Sequence, residues 1–256
     1  MALTGTDRGA SSHNTSATSF TLNASGNFAA GSMAVLCVAA DNAGPSGGAL
    51  ATFSVSDTLG NTWTRRASPL YDPGSASAGV EGATFTTEQN GGVIQTGTTI
   101  TVSFGSTSVT AKAWTLHEVV PAANNKVSFI ASGVNTGAAT GTPTVTTASL
   151  TNGDMVVGAG HAESGDTWAG DADTTNGSWS THQHAAAGTG ATGMSITSQR
   201  KVVTATATQT YNPTLTSADC ILSWVQLREN PIITPTAANS QSAGTAPTIS
   251  YGALSV

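Results

Sequence analysis

The chain has 256 residues, of which 38% are hydrophobic and only 9% charged, with a formal net charge of −6. That length holds one large sandwich or two domains of about 100 residues each, with enough apolar material for a core. The basic residues include two isolated pairs, Arg65-Arg66 and Arg200-Lys201, which cannot neutralise a run of phosphates; neither nucleic acid nor an anionic membrane surface is expected as a partner. No apolar run reaches the ~18 residues of a membrane span. The start, Met1 to Arg8, lacks a basic end followed by an apolar block, so no secretory leader is expected. With so few charges, the surface has to be made of Thr, Ser, Asn and Gly, a composition that suits strands and turns. An all-β chain follows.

Residues 1–17 are rich in Gly, Ser, Thr and Asn, offer little to bury, and read as an N-terminal arm. The first β-sandwich half is expected over 18–130. Ser19-Phe20-Thr21-Leu22 alternates, and Met33 to Ala39 is a short continuous apolar run that reads as a buried strand. Alternation returns at Thr52–Ser56, Thr62–Thr64, Ala83–Thr86 and Thr99–Phe104, and the half closes on Lys112–Val119. Short strands at this spacing, with turn residues between them, signal a sandwich or jelly roll. No helical period competes with them. The stretch from Ala131 to Pro143 reads as a linker.

The second half, 143–229, repeats the plan. Gly31-Ser32-Met33-Ala34-Val35 is answered by Gly153-Asp154-Met155-Val156-Val157, and the turn from Asp57 to Trp63 by the turn from Asp173 to Trp179. Trp114-Thr115-Leu116-His117-Glu118 is answered by the segment from Trp224 to Glu229. Three landmarks in one order argue for an internal repeat. The expected architecture is two tandem, related antiparallel β-sandwich halves, jelly-roll-like, as separate domains or one continuous sandwich. Trp63, Trp114, Trp179 and Trp224 are expected in or beside the cores. Trp168 has no counterpart and lies in a Gly/Asp loop, so it is the expected surface aromatic anchor. Residues 230–256 carry Pro231, Pro235 and Pro247 and end on Ile249, Tyr251, Leu254 and Val256. This reads as an extended C-terminal arm whose apolar residues make an assembly contact by strand addition.

Little of the chain points to chemistry. Cys37 and Cys220 sit in apolar runs and are expected as buried free thiols. Asp171-x-Asp173-x-x-Asn176-Gly177 approaches a calcium loop, but the glycine falls one place late and His182 stands where a bidentate Glu is needed. His182-x-His184 lacks a third ligand at fixed spacing. No metal and no cofactor are therefore expected. Glu81, Glu88, Glu118, Glu163 and Glu229 have no glycosidase-like surroundings, and no enzyme activity is expected. Trp168, Trp179, Tyr71 and Tyr211 could stack on sugars, which makes a surface glycan the alternative partner.

The run Val55-Ser56-Asp57-Thr58-Leu59-Gly60-Asn61-Thr62-Trp63, then Gly97 to Phe104, then Ala113-Trp114-x-Leu116-x-Glu118, resembles β-sandwich modules of tailed-phage virion proteins and bacterial surface proteins. Ser198 to Thr206 and Trp224-Val225-Gln226-Leu227 are similar to the second half of such modules. The resemblance spans about residues 18–229 and rests on structural motifs, so it implies a fold and a setting. That setting is a bacteriophage virion structural protein: a capsid decoration, head-fibre or tail-associated subunit. It would be made in the host cytoplasm, form a homo-oligomer and contact other capsid or tail proteins. The alternative is a carbohydrate-binding or adhesin module at an extracellular surface. No catalytic residues come with the resemblance.

Overall fold

Thr-rich alternation and Gly/Asn turns give antiparallel strands throughout the computed structural model, which describes residues 3–41, 51–74 and 78–232. In the first half these are β1 (Thr4–Ala17), β2 (Ser19–Asn23), β3 (Met33–Asp41), β4 (Ser54–Asp57), β5 (Thr64–Ala67), β6 (Leu70–Tyr71), β7 (Val80–Thr87), β8 (Thr99–Ser103) and β9 (Val109–Val120). The second half has β10 (Asn125–Val134), β11 (Ala138–Thr140), β12 (Val145–Thr146), β13 (Met155–Ala162), β14 (Gln183–Ala187), β15 (Met194–Val202), β16 (Thr210–Tyr211) and β17 (Ala218–Pro231). The fold is an all-β sandwich, as the composition requires.

Two large sheets run β1-β9-β3-β7-β5 and β10-β17-β13-β15-β14, and two small ones run β2-β8-β4 and β12-β16. Taken by place within its own half, the strand order of the two large sheets is the same: first strand at one edge, then last, then the Met-led apolar strand. In both sheets the first strand pairs with the last through a register shift, between Asp7 and Gly9 in β1 and between Phe129 and Ala131 in β10. The landmarks are not in perfect step. Val38, five residues after Met33, pairs with Trp114, whereas Gly160, five after Met155, pairs with Leu222. Because the slip is two residues, both tryptophans keep the same face.

Burial explains why β3 reads as continuous. Its odd residues Met33, Val35, Cys37 and Ala39 join Met155, Val157 and Ala159 of β13 in a central core between the two large sheets. Its even residues Ala34, Leu36 and Val38 face outward onto Phe20, Leu22, Ile100 and Val102 of the small sheet. On the far side, Val156, Leu222 and Trp224 pack with Val145 and Tyr211. The layers are therefore small sheet, large sheet, large sheet, small sheet with loops, and the two halves share the central core.

Two expected boundaries need correction. The stretch 1–17 is no free arm: β1 pairs with β9 from Thr4↔Val120 to Ala17↔Val109. Residues 131–143 are no linker either, since β10 and β11 both pair with β17. Both stretches lie at or near a sheet edge; β1 and β11 are polar and held by the backbone ladder, while β10 also sets Val127 in the central core and Phe129 against it. Pro231, expected to open the C-terminal arm, instead ends β17 opposite Asn125.

Candidate functional site

The most ordered polar chemistry lies between the large sheets. His117 on β9 has Nδ1 at 2.9 Å from Asp7 Oδ1 and Nε2 at 2.6 Å from Ser198 Oγ. Ser198 is in turn 2.7 Å from Thr115 Oγ1, and Arg200 bonds Asp7 from the other side. Strand periodicity builds this chain of bonds: Thr115 and His117 alternate inward on β9, and Ser198 and Arg200 on β15. Burial, partly opposed by Asp7, lowers the His117 pKa. Burial works to raise Asp7, but its bond to His117 and the Arg200 charge outweigh it and hold the carboxyl below its usual range. Asp, His and Ser occur in the order of a hydrolase triad. Ser198 and His117, however, have 0% exposure, so no substrate carbonyl can reach the hydroxyl. The arrangement braces β1, β9 and β15 against one another. Sequence reading misses it because its members come from three remote segments that share no motif.

A second polar group closes the seam at the ends of β3, β13 and β17. The backbone N–H of Gly79 donates to Glu163 Oε2 at 2.5 Å, and the Glu163 N–H donates to the Asp219 carbonyl at 2.8 Å. Burial, with the Asp219 carboxyl and the Asp41 charge alongside, pushes Glu163 up to about 7. Burial likewise pushes Asp41 up to about 6. A carboxyl whose pKa is raised on folding favours the folded state at low pH and loses that contribution as pH rises through its folded pKa. Glu163→Gln, which keeps an acceptor for Gly79, is therefore expected to match the parent chain near pH 4 and to exceed it in stability at pH 8. Urea denaturation at the two pH values checks this; a variant weaker at both would show that the proton on Glu163 is immaterial.

The expected site residues fall as follows. Trp168 is a correction. At 1% exposure it is buried, more so than Trp114, Trp179 and Trp224 at 5%, 8% and 6%. Its Nε1 donates to Ser195 Oγ at 3.0 Å, and its ring lies on Gly160, which has no Cβ to block the approach. A loop that looked solvated lies over the outer face of β13 and β15, and the ring fills the space beneath it. Tyr211 is fully buried as well, so it cannot meet a surface sugar. Trp63 is partly buried, with Nε1 donating to Asp57 Oδ2 at 2.8 Å. Ile249, Tyr251, Leu254 and Val256 lie outside the described residues. So does Gly44-Pro45-Ser46-Gly47-Gly48, which has the spacing of a nucleophile elbow.

The calcium-like turn is held by its own carboxylates. Asp171 accepts from the N–H groups of Asp173 and Asn212 at 2.7 and 2.9 Å. Asp173 accepts from the Thr175 N–H at 3.0 Å and pairs with Lys201 Nζ at 2.8 Å, which depresses its pKa. A lysine ammonium thus occupies the carboxylate that a cation would use. Glu118 pairs with Arg8, and Glu229 accepts from Ala122 N–H and Asn125, so both serve their strand ends. Cys37 and Cys220 are free and buried, with burial raising both thiol pKa values.

Several shallow grooves lie on the surface of the described residues, and two of them sit where one large sheet meets the first strand of the other. The first, about 210 Å³, is lined by Thr62, Thr64, Arg66, Thr86, Glu88 and Asn90, with Thr87 beside them. The second, about 300 Å³, is lined by Ser178, Ser180, Arg200, Val202 and Thr204, with Met155 and two glycines. No family model matches the chain, and no curated protein or solved structure matches it either.

Proposed function

We propose that the chain is a structural subunit of a bacteriophage virion, a capsid decoration, head-fibre or tail-associated protein that works through protein–protein contacts and not through catalysis. The observation that carries this reading is where the exposed apolar surface lies. Ile130 is 41% exposed, Val134 46% and Ile232 53%, and these are the large exposed hydrophobics among the described residues. All three border one strand pair: two lie on edge strand β10, and Ile232 follows β17 with its N–H on the Asn124 carbonyl at 3.0 Å. The chain passes into residues 233–256 at that same edge. The three are spaced along the length of edge strand β10, whose outer backbone groups are open to an added strand, and apolar side chains there suit pairing with another chain. Capsid or tail proteins and further copies of this chain are the partners proposed. The sealed Ser198 is a brace and not a nucleophile.

Two measurements test the reading. Purified particles should contain the chain at a fixed copy number by quantitative mass spectrometry, and its absence from particles overturns the virion setting. In sedimentation, a chain ending at Ile232, or carrying Ile130→Ser with Val134→Ser, should stay folded and lose self-association or particle binding. Unchanged association would show that this edge is not the contact. A second reading, a glycan-binding module at an extracellular surface, is favoured by the hydroxyl-lined first groove.

A further inference from the structure

The two seam grooves are built at equivalent places. In the first, Thr64 on β5 pairs with Thr86 on β7. In the second, Trp179 bridges Lys201, and the N–H of the next residue, Ser180, donates to the Arg200 carbonyl at 2.8 Å. Stepping outward from each tryptophan, Thr62 and Thr64 correspond to Ser178 and Ser180. On the facing strand, Thr86, Glu88 and Asn90 correspond to Arg200, Val202 and Thr204. These five pairs all line their respective grooves. Each groove also meets the first strand of the other large sheet: the Arg66 guanidinium lies 4.1 Å from the centre of the Phe129 ring on β10, and Arg200 bonds Asp7 on β1. One site has therefore been built twice.

The copies differ in what they offer. In the second, Arg200 is taken by Asp7, Val202 stands where the first has Glu88, and Met155 adds an apolar wall. In the first, every lining side chain is polar. Arg66 sits at the register shift of β5, and its Nε donates to Thr86 Oγ1 at 2.8 Å, which fixes the guanidinium at the groove. Asn90 and Thr62 hold each other: the Thr62 N–H donates to Asn90 Oδ1 at 2.9 Å and Asn90 Nδ2 donates to Thr62 Oγ1 at 3.2 Å. What remains for a ligand is the exposed Thr62 and Thr64 hydroxyls, the terminal nitrogens of Arg66 and the exposed Glu88 carboxylate, since Thr86 and Thr87 are buried and bonded to Arg66 and the Gln89 N–H. Glu88 beside Arg66 cancels the charge that an anion or a cation would need. Donors and acceptors close together without net charge match a ligand that presents hydroxyls as both.

We infer that the first groove binds a neutral saccharide and that the second is its degenerate counterpart. This rests on the glycan-binding reading above and stands apart from the assembly reading. By strand alternation Trp63 points away from Thr62 and Thr64, so no stacking contribution from its ring is expected and binding should be weak. The test is an amide-shift titration of the labelled full chain with glucose, galactose, N-acetylglucosamine and maltose, and separately with sulfate. Saturable shifts are expected at Thr62–Arg66 and Thr86–Asn90 with at least one sugar, and none at Ser178–Ser180 or Thr204. Glu88→Gln and Thr64→Val, at exposed positions, should each weaken binding at least fivefold. No saturable shift with any of the sugars overturns the inference, as does a sulfate response at the same amides or an unchanged variant. Shifts centred elsewhere would keep the glycan-binding reading and remove this groove from it.

Discussion

Trp168→Ala is expected to cost about 3–5 kcal/mol of folding stability, the range for removing a large aromatic from a packed interior. The ring is in contact with Gly160, is buried, and ties its N–H to Ser195, so truncation leaves both a void and an unmatched hydroxyl. The cost is spread over two strands, since Gly160 lies on β13 and Ser195 on β15, and the loop that carries Trp168 would lose its anchor. Urea denaturation gives the midpoint shift, and iodide quenching of single-tryptophan variants gives an independent reading. Trp168 should be the least quenched of the five. A cost below about 1 kcal/mol, the level of an ordinary surface change, would place the ring outside the core.

Acid should weaken the fold through His161. This imidazole is buried between the large sheets, with Nε2 3.2 Å from Ser223 Oγ and Gly82 leaving it room. Burial depresses its pKa from 6.5 to about 3, partly opposed by the Val38 backbone. The unfolded chain therefore binds a proton that the folded chain refuses, and stability falls as pH drops below about 6.5 towards 3. Each pH unit in that window removes ~1.4 kcal/mol, or roughly 3 kcal/mol between neutrality and pH 4. His117, also depressed, acts in the same direction, whereas Glu163 and Asp41, both raised, act in the opposite one. The clean comparison is thus His161→Gln against the parent at pH 7 and pH 4. The variant should lose about 3 kcal/mol less on acidification. Equal losses would mean that His161 is already solvated in the folded chain.

The parts of this fold that could be read from sequence are those fixed by near neighbours. The turn at Asp57 is one. Asp57 Oδ1 accepts from the N–H groups of Leu59 and Asn61, and Oδ2 accepts from Asn61 Nδ2 and Trp63 Nε1, all within seven residues. The apolar run of β3 is another, because burial on both faces leaves a continuous signal. β1 is hidden for the opposite reason, since backbone bonds hold it and its Ser, Thr and Gly side chains leave no pattern, and β10 is hidden because the bulge between Phe129 and Ala131 breaks its alternation. Trp168 was misplaced because its own loop is polar, while what covers it comes from residues 160 and 195. The Asp7, His117 and Ser198 chain and the twin grooves depend on pairing register, which composition does not encode.

The order of the large sheets also bears on how the chain reaches its folded state. Thr4 pairs with Val120, and Asn125 pairs with Pro231, so each sheet closes only when its last strand arrives. Such distant pairing implies high contact order and slow folding. Synthesised from the N-terminus, the first sheet is complete while the face bearing Met33, Val35 and Ala39 still lacks its cover, and it stays bare until β13, β15 and β17 emerge. During that interval two nascent chains present the same apolar face to each other. A chain stopped after β9 is therefore expected to self-associate through that face, where the whole chain covers it with its own second sheet.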